Sequence, residues 1–291
     1  MKVYVNGKFL DEDKAVISVF DRAFLYGDGI FETMRSYGGI VFRLERHLNR
    51  LYSSMKSLKI RPRFSNKETE KSIYELLRVN SLKDASIRIT VSRGISKDRK
   101  FNISQNDISG VVITAGRFAP RPVKYYETGI KADVACFRRN SRSFSSNFKA
   151  INYLDAIIAR NEAVPKGSFE TIFLNEADYV CEGSVTNVFM VTGNKLMTPS
   201  LDCGVLPGIT RKVVLELAPY AALGIEEGKF SEEKLRNCEE IFVTNSLIEI
   251  IPVVKIGEKQ IGNGKVGSVT RKIHSLYKDL VKRETGCEKK N

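Results

Sequence analysis

Apolar residues recur along this chain with two periods, about two and about three to four, and these sort it into strands and helices. VYVNGKFLDED reads as strand, Asn-Gly turn and strand, and a further strand carrying Val16, Ile17 and Val19 is expected after it. IFETMRSYGGIVF reads as a hairpin that turns at Gly38–Gly39. RLERHLNRLYSSMKSLKI places Leu44, Leu48, Leu51 and Met55 on one helical face. SNKETEKSIYELLRVN predicts a second helix behind a Ser/Asn cap, and ASIRITVSRG and GVVITAGRF predict two more strands.

APRPVKYYETG holds two prolines and little periodicity, which predicts a linker. The expected division is a small N-terminal domain over 1–118, a linker over 119–130 and a large domain over 131–291. In the second part IKADVACF predicts a strand, and NFKAINYLDAII a helix with Lys149 near its head. ETIFLN, YVCEGSVTNVFMVTG and KLMTP predict a meander of strands. LPGITRKVVLELAPYAAL predicts a helix, EEIFVTNSLIEIIPVVKIG two strands, and VGSVTRKIHSLYKDLVKRE a last helix. Strands and helices mix in both parts without regular βαβ alternation, so the fold class is α+β rather than a Rossmann sheet.

Composition narrows the chemistry. With 291 residues, 42% hydrophobic and 28% charged, the chain has the core of an ordinary globular protein of one large or two smaller domains. No window approaches eighteen consecutive apolar residues, so no membrane span is expected. The opening MKVYVNGKFLDED lacks the apolar centre of a signal peptide, which makes a cytoplasmic location the expectation. The five cysteines (Cys136, Cys181, Cys203, Cys238, Cys287) are scattered without CxxC spacing, and the two histidines are His47 and His274. No metal site or disulfide framework is expected, and the absence of GxSxG argues against a serine hydrolase. The net charge of +13 is spread along the chain with acidic residues between, as in KDRK and EEKLR. That pattern suits a solvated basic surface facing small anions better than a nucleic-acid interface.

Four local patterns carry candidate chemistry. Lys149 begins an otherwise apolar segment with Tyr153 four residues on, the same face of a helix. Alone it reads either as a lysine snorkelling at a helix end or as a partly desolvated amine able to form Schiff bases. LPGIT (206–210) opens a helix, so the backbone amides of Ile209 and Thr210 form an anion site or a plain capping arrangement. Glu182 stands beside Gly183 in an apolar strand pair. It is either an exposed turn glutamate or a carboxylate that needs a cation, such as a protonated ring nitrogen. Thr244–Asn245–Ser246 is a hydroxyl-rich turn, suited to a local Asx turn or to a phosphate. An amine, a phosphate site, a carboxylate and an arginine-bearing helix are together the parts of a pyridoxal phosphate site.

The order and wording of VYVNGKF, FDRAFLYGDGIFETMR, HLNRL, FKAINYL, CEGSVTNVF, LPGITR and FVTNSLIEIIPV resemble the class IV, fold-type IV pyridoxal phosphate enzymes. That family holds the branched-chain and D-amino-acid aminotransferases and 4-amino-4-deoxychorismate lyase. The seven motifs run in the family's order from residue 3 to about 253. The resemblance implies a small N-terminal α/β domain and a larger C-terminal domain with a β-barrel-like core. It implies Lys149 as the Schiff-base lysine, Glu182 as partner of the pyridine nitrogen and Tyr153 as partner of the ring's phenolic oxygen. Arg50, the Ile209 and Thr210 amides and Ser246 would hold the phosphate, and Leu206 would pack on the ring. Tyr26, Phe31, Arg35, Arg88 and Leu247 would line the substrate side. A homodimer with shared sites, and amino-acid and 2-oxo-acid substrates, are also implied.

Within the family the residues divide. Tyr26, Phe31, Glu32 and Arg88 match the branched-chain version, whereas Ser86 replaces a tyrosine and NSLIEI looks like the lyase version of GTAAEI. The D-amino-acid enzymes carry an Arg-x-His pair, and DRKF offers Arg99 without the histidine. Transamination of branched-chain or other hydrophobic amino acids with 2-oxoglutarate is therefore the expectation. Aminodeoxychorismate lyase is second and D-amino-acid transamination third.

Overall fold

The computed structural model describes residues 1–95, 101–103 and 108–286, whose contacts divide into two units. The first holds Met1–Ala119, Phe148–Asn152 and the chain from Val281 onward; the second holds Pro120–Asn147 and Tyr153–Leu280. The units are thus not consecutive in sequence: the segment that carries Lys149 belongs with the N-terminal residues.

The first unit contains β1 (Lys2–Val5), β2 (Lys8–Asp11), α1 (Arg22–Tyr26), β3 (Gly29–Tyr37), β4 (Ile40–Val41), α2 (Leu44–Ser57), α3 (Asn66–Val79), β5 (Ala85–Ser92) and β6 (Gly110–Arg117). Its strands form one antiparallel sheet in the order β2-β1-β6-β5-β3-β4. Period-two alternation turns Ile30, Met34, Ile87, Ile89 and Ile113 into a core completed by Leu48, Leu51, Ile73 and Leu76 of α2 and α3. On the other face the register pairs Phe31 with Thr90, Thr33 with Arg88 and Arg35 with Ser86. The start of α3 is fixed by a capping box, in which the Ser65 side chain takes the Glu68 amide and Glu68 takes the Ser65 amide. The strand expected around Val16, Ile17 and Val19 does not form. Residues 15–18 are irregular, and these three side chains are exposed with no strand to pair with.

The second unit contains α4 (Lys124–Glu127), β7 (Ile130–Val134), α5 (Leu154–Ala163), β8 (Glu170–Leu174), β9 (Val180–Gly183), β10 (Asn187–Thr192), β11 (Lys195–Pro199), α6 (Ile209–Leu217), β12 (Gly224–Gly228), α7 (Glu232–Asn237), β13 (Glu240–Asn245), β14 (Glu249–Ile256), β15 (Lys259–Gln260) and most of α8 (Ser268–Thr285). The sheet runs β12-β11-β10-β13-β14-β7-β8-β9, with β15 beside β14. It is curled into a half-barrel. β9 ends the sheet, yet a tight turn closed by the Gly183 amide on the Thr186 carbonyl (2.7 Å) leads straight into β10 near the opposite end. The expected meander over β8–β11 is therefore broken between β9 and β10, and the pairs β7/β8, β7/β14 and β11/β12 are parallel.

The stretch expected as the linker, 119–130, contains α4, whose Tyr125 and Tyr126 pack in the second unit, with the Tyr126 hydroxyl donating to the Ile248 carbonyl at 3.2 Å. One further expectation is corrected. The helix expected from Lys149 begins only at Leu154. Residues 149–151 instead pair with the start of β3: the Phe31 amide donates to the Lys149 carbonyl (2.9 Å) and the Ile151 amide to the Gly29 carbonyl (3.1 Å). Strand-type pairing captures these backbone groups before a helix can use them. Tyr153 stands at the N-cap of α5, so it does not share a helical face with Lys149. Among the described residues no helix is long and apolar enough to cross a membrane.

Candidate active site

In the first unit Lys149 is half-buried, with its Nζ 4.6 Å from the centre of the Phe31 ring. Arg88 lies over the same ring at 3.6 Å and its Nε donates to Thr90 Oγ1 at 3.2 Å. Strand alternation explains this grouping, since Phe31 of β3 and Arg88 and Thr90 of β5 share one face. Arg35, on that face too, stacks between Tyr37 (4.1 Å) and Phe118 (3.7 Å). Tyr26 ends α1 and stands 5.0 Å from the Phe101 ring. Arg99 lies outside the described residues.

Arg50 of α2 reaches the opposite face of β3. Its Nε and Nη2 each donate at 2.7 Å to the two carboxylate oxygens of Glu32, a bidentate fork. His47 Nδ1 lies 2.8 Å from Glu32 Oε2. Burial pushes the Glu32 carboxyl up, but Arg50 and His47 outweigh it and hold the group at about 2. Burial likewise pushes the His47 imidazole down, against the pull of Glu32.

In the second unit Glu182 is buried, not the exposed turn residue that was the plainer reading of the sequence. Its cation is Arg139, whose Nη1 meets Oε1 at 2.5 Å. Oε2 accepts the Leu206 amide (2.9 Å) and Asn187 Nδ2 (3.1 Å). Asn187 Nδ2 also donates to the Leu206 carbonyl at 3.0 Å, which ties β10 to the loop before α6. The turn beyond Glu182 is pinned by the buried Glu170. That carboxylate accepts the Ser184 amide (3.1 Å), the Ser184 hydroxyl and the Thr186 hydroxyl (3.0 Å). Burial pushes the neighbouring Cys181 thiol up to about 12, so it stays protonated and donates to the Cys203 carbonyl.

α6 starts at Ile209 with Gly208 as a cap that offers no side chain. A Cβ at Gly208 would run into the Asn187 amide oxygen and crowd Arg211, so only glycine fits this turn. Ile209 and Thr210 occupy the first turn, where backbone amides lack helical acceptors. Asn245 Oδ1 accepts the amides of Leu247 and Ile248 (both 2.9 Å), an Asx turn that presents Ser246 and Leu247.

The structure thus groups Lys149 with Phe31 and Arg88, and Glu182 with the Leu206 backbone. Arg35 and Tyr26 meet aromatic neighbours of their own. Glu32, His47 and Arg139 escaped the sequence reading as site partners. The usable signal was Glu32, a charge at an inward position of a strand between the apolar inward residues Ile30 and Met34. Within the second unit, an uncapped helix start and a buried, anchored carboxylate suit an anionic, phosphorylated cofactor with a basic ring nitrogen. The buried Thr244 hydroxyl, which leads into the Ser246 turn, has no hydrogen-bond partner among the described residues and adds a polar atom to that set.

Comparison with known proteins agrees. The profile described as "Amino-transferase class IV" matches residues 29–256. A Methanocaldococcus jannaschii protein provisionally named branched-chain-amino-acid aminotransferase is 37% identical over 96% of each chain. The Bacillus subtilis aminodeoxychorismate lyase is 37% identical over 96% of this chain and 94% of its own. Among solved structures, a T.th. branched-chain amino acid aminotransferase with pyridoxamine 5'-phosphate aligns with a TM-score of 0.91 at 27% identity. The alignment covers 99% of this chain and 95% of that one. The chain therefore belongs to the class IV aminotransferases and is a pyridoxal phosphate-dependent enzyme.

Proposed function

We propose that the enzyme transfers the amino group of branched-chain or other hydrophobic amino acids to 2-oxoglutarate, with Lys149 as the reacting amine. The observation that carries this reading is the Lys149–Phe31–Arg88 cluster, an apolar ring with an amine and a guanidinium against it. Such an aminotransferase accepts two side chains of opposite character in turn. The Phe31 ring offers apolar surface to the donor, and Arg88 offers a fork to the distal carboxylate of 2-oxoglutarate.

Pyridoxal phosphate, when bound, supplies an aldehyde that joins amines and a ring that accepts negative charge. Lys149 would provide the amine that holds the cofactor and would move the proton at the substrate Cα. Glu182, whose position is set by Arg139, Asn187 and the Leu206 amide, would hold a proton at the ring nitrogen. Tyr153 would serve the ring's phenolic oxygen and Leu206 one face of the ring. Arg50, the Ile209 and Thr210 amides and Ser246 would bind the phosphate. Tyr26, Arg35 and Leu247 border the substrate, where one or two methylenes shift preference measurably. The working form is a homodimer, as the family resemblance implies.

A second reading, aminodeoxychorismate lyase, is favoured by a relative of that name at 37% identity and by the NSLIEI turn. D-amino-acid transamination ranks third. A half-reaction screen separates the three by following loss of the visible-edge absorbance with L-branched-chain, aromatic, acidic and D-amino acids. A parallel assay measures pyruvate release from aminodeoxychorismate. Bleaching by L-hydrophobic donors is the expected result. Pyruvate release without any amino-acid half-reaction would replace the first reading by the second.

A further inference from the structure

Glu32 takes no part in the chemistry above, yet it is a carboxylate with 1% side-chain exposure beside the buried Ile30 and Met34. An ion there is costly unless paired and hydrogen-bonded. Both of its oxygens are engaged by Arg50, and one also meets His47. His47 and Arg50 are three residues apart on α2, hence on one helical face. The neighbouring residue Phe31 gives its amide to the Lys149 carbonyl. Two successive residues of β3 therefore hold the backbone of Lys149 and the guanidinium of Arg50.

We propose that Glu32, braced by His47, is the positioning residue for phosphate recognition: it fixes the Arg50 guanidinium so that the edge away from Glu32 meets a phosphate monoester. This rests on the assignment of Arg50 to the cofactor's phosphate. Charge alone predicts the opposite, because a carboxylate next to Arg50 repels phosphate and its removal should tighten binding. Orientation predicts weakening, because an untethered arginine must give up rotamer freedom on each binding event.

The test compares pyridoxal phosphate with pyridoxal, which lacks the phosphate, in direct binding titrations of the full chain. Arg50→Ala is expected to weaken pyridoxal phosphate by roughly a hundredfold while pyridoxal changes by less than about twofold. Glu32→Gln should weaken pyridoxal phosphate by about tenfold with the same selectivity, and add nothing in the Arg50→Ala background. Glu32→Asp, which keeps the charge but shortens the reach, should show a smaller loss of the same kind and serves if Glu32→Gln does not fold. Unchanged or tighter pyridoxal phosphate binding in the Glu32 variants overturns the inference. So does an equal loss for pyridoxal, or full additivity with Arg50→Ala. If Arg50→Ala itself leaves pyridoxal phosphate binding intact, the phosphate assignment falls and takes the inference with it.

Discussion

Glu32 in the first unit and Glu182 in the second each meet an arginine, but the geometry of the two pairs differs. Glu32 takes a two-pronged fork from Arg50 and has 1% side-chain exposure. Glu182 is touched by one prong of Arg139, has 9% exposure, and leans on two neutral donors, Asn187 and the Leu206 amide. The fork fixes the arginine, so in the first unit the carboxylate serves the cation. The single tether with neutral supports fixes the carboxylate, so in the second unit the arginine serves the anion. One residue pair is turned to opposite uses by how many donors meet and how much solvent remains.

The largest expected effect tests what both pairs serve. Lys149→Ala should cut turnover by ~10³-fold or more, since amine attachment and Cα proton transfer both go. Steady-state assay of the variant checks this, and retained activity would leave neither pair a reaction to support. Next comes the contrast in stability. Glu32→Ala leaves Arg50 buried without its counter-ion and His47 without its hydrogen-bond partner, and should cost about 3–5 kcal/mol in urea unfolding. Glu182→Ala, with its arginine half open to water, should cost clearly less; equal losses would erase the distinction. In turnover the order should invert. Glu182→Gln is expected to lower kcat by about a hundredfold at saturating cofactor, whereas Glu32→Gln acts mainly on cofactor affinity.

Acid titration sharpens the same contrast. The Glu32 carboxyl is held at about 2, below its ordinary 4.5. Its stabilisation is therefore complete above pH 4.5 and is lost as pH falls from there toward 2. His47, pushed down by burial, also binds its proton more readily when unfolded, so its share begins to fade as pH drops below 6.5. Unfolding followed against pH should show this acid limb, and Glu32→Gln should flatten its lower part. The smallest effect belongs to a feature of neither pair. Ser65→Ala removes one side of the α3 capping box and should cost about 1 kcal/mol without touching turnover.

Much of the first unit could be read from periodicity. β5 and β6 alternate cleanly, α2 carries Leu44, Leu48, Leu51 and Met55 inward, and Ser65 caps α3 as its position suggests. The Gly208 turn was legible for a similar reason, because a glycine before a helix start leaves amides without acceptors. Lys149 shows where such reasoning stops. Its neighbours repeat at helical spacing, yet β3 claims the backbone of residues 149–151, and a local pattern cannot reveal a distant strand edge. The same holds for β12, a short and largely exposed strand recruited by parallel pairing with β11.

The sequence by itself therefore determined the α+β class, the core faces and the family, because each is written in neighbouring residues or in the order of motifs. Tertiary structure alone decided that Glu182 finds its cation in Arg139, 43 residues earlier, and that Glu32 binds Arg50, 18 residues later. A charge carries no label of its partner. Which arginine meets which carboxylate is fixed only when alternation in the strand and the turn of the helix bring them within hydrogen-bond reach.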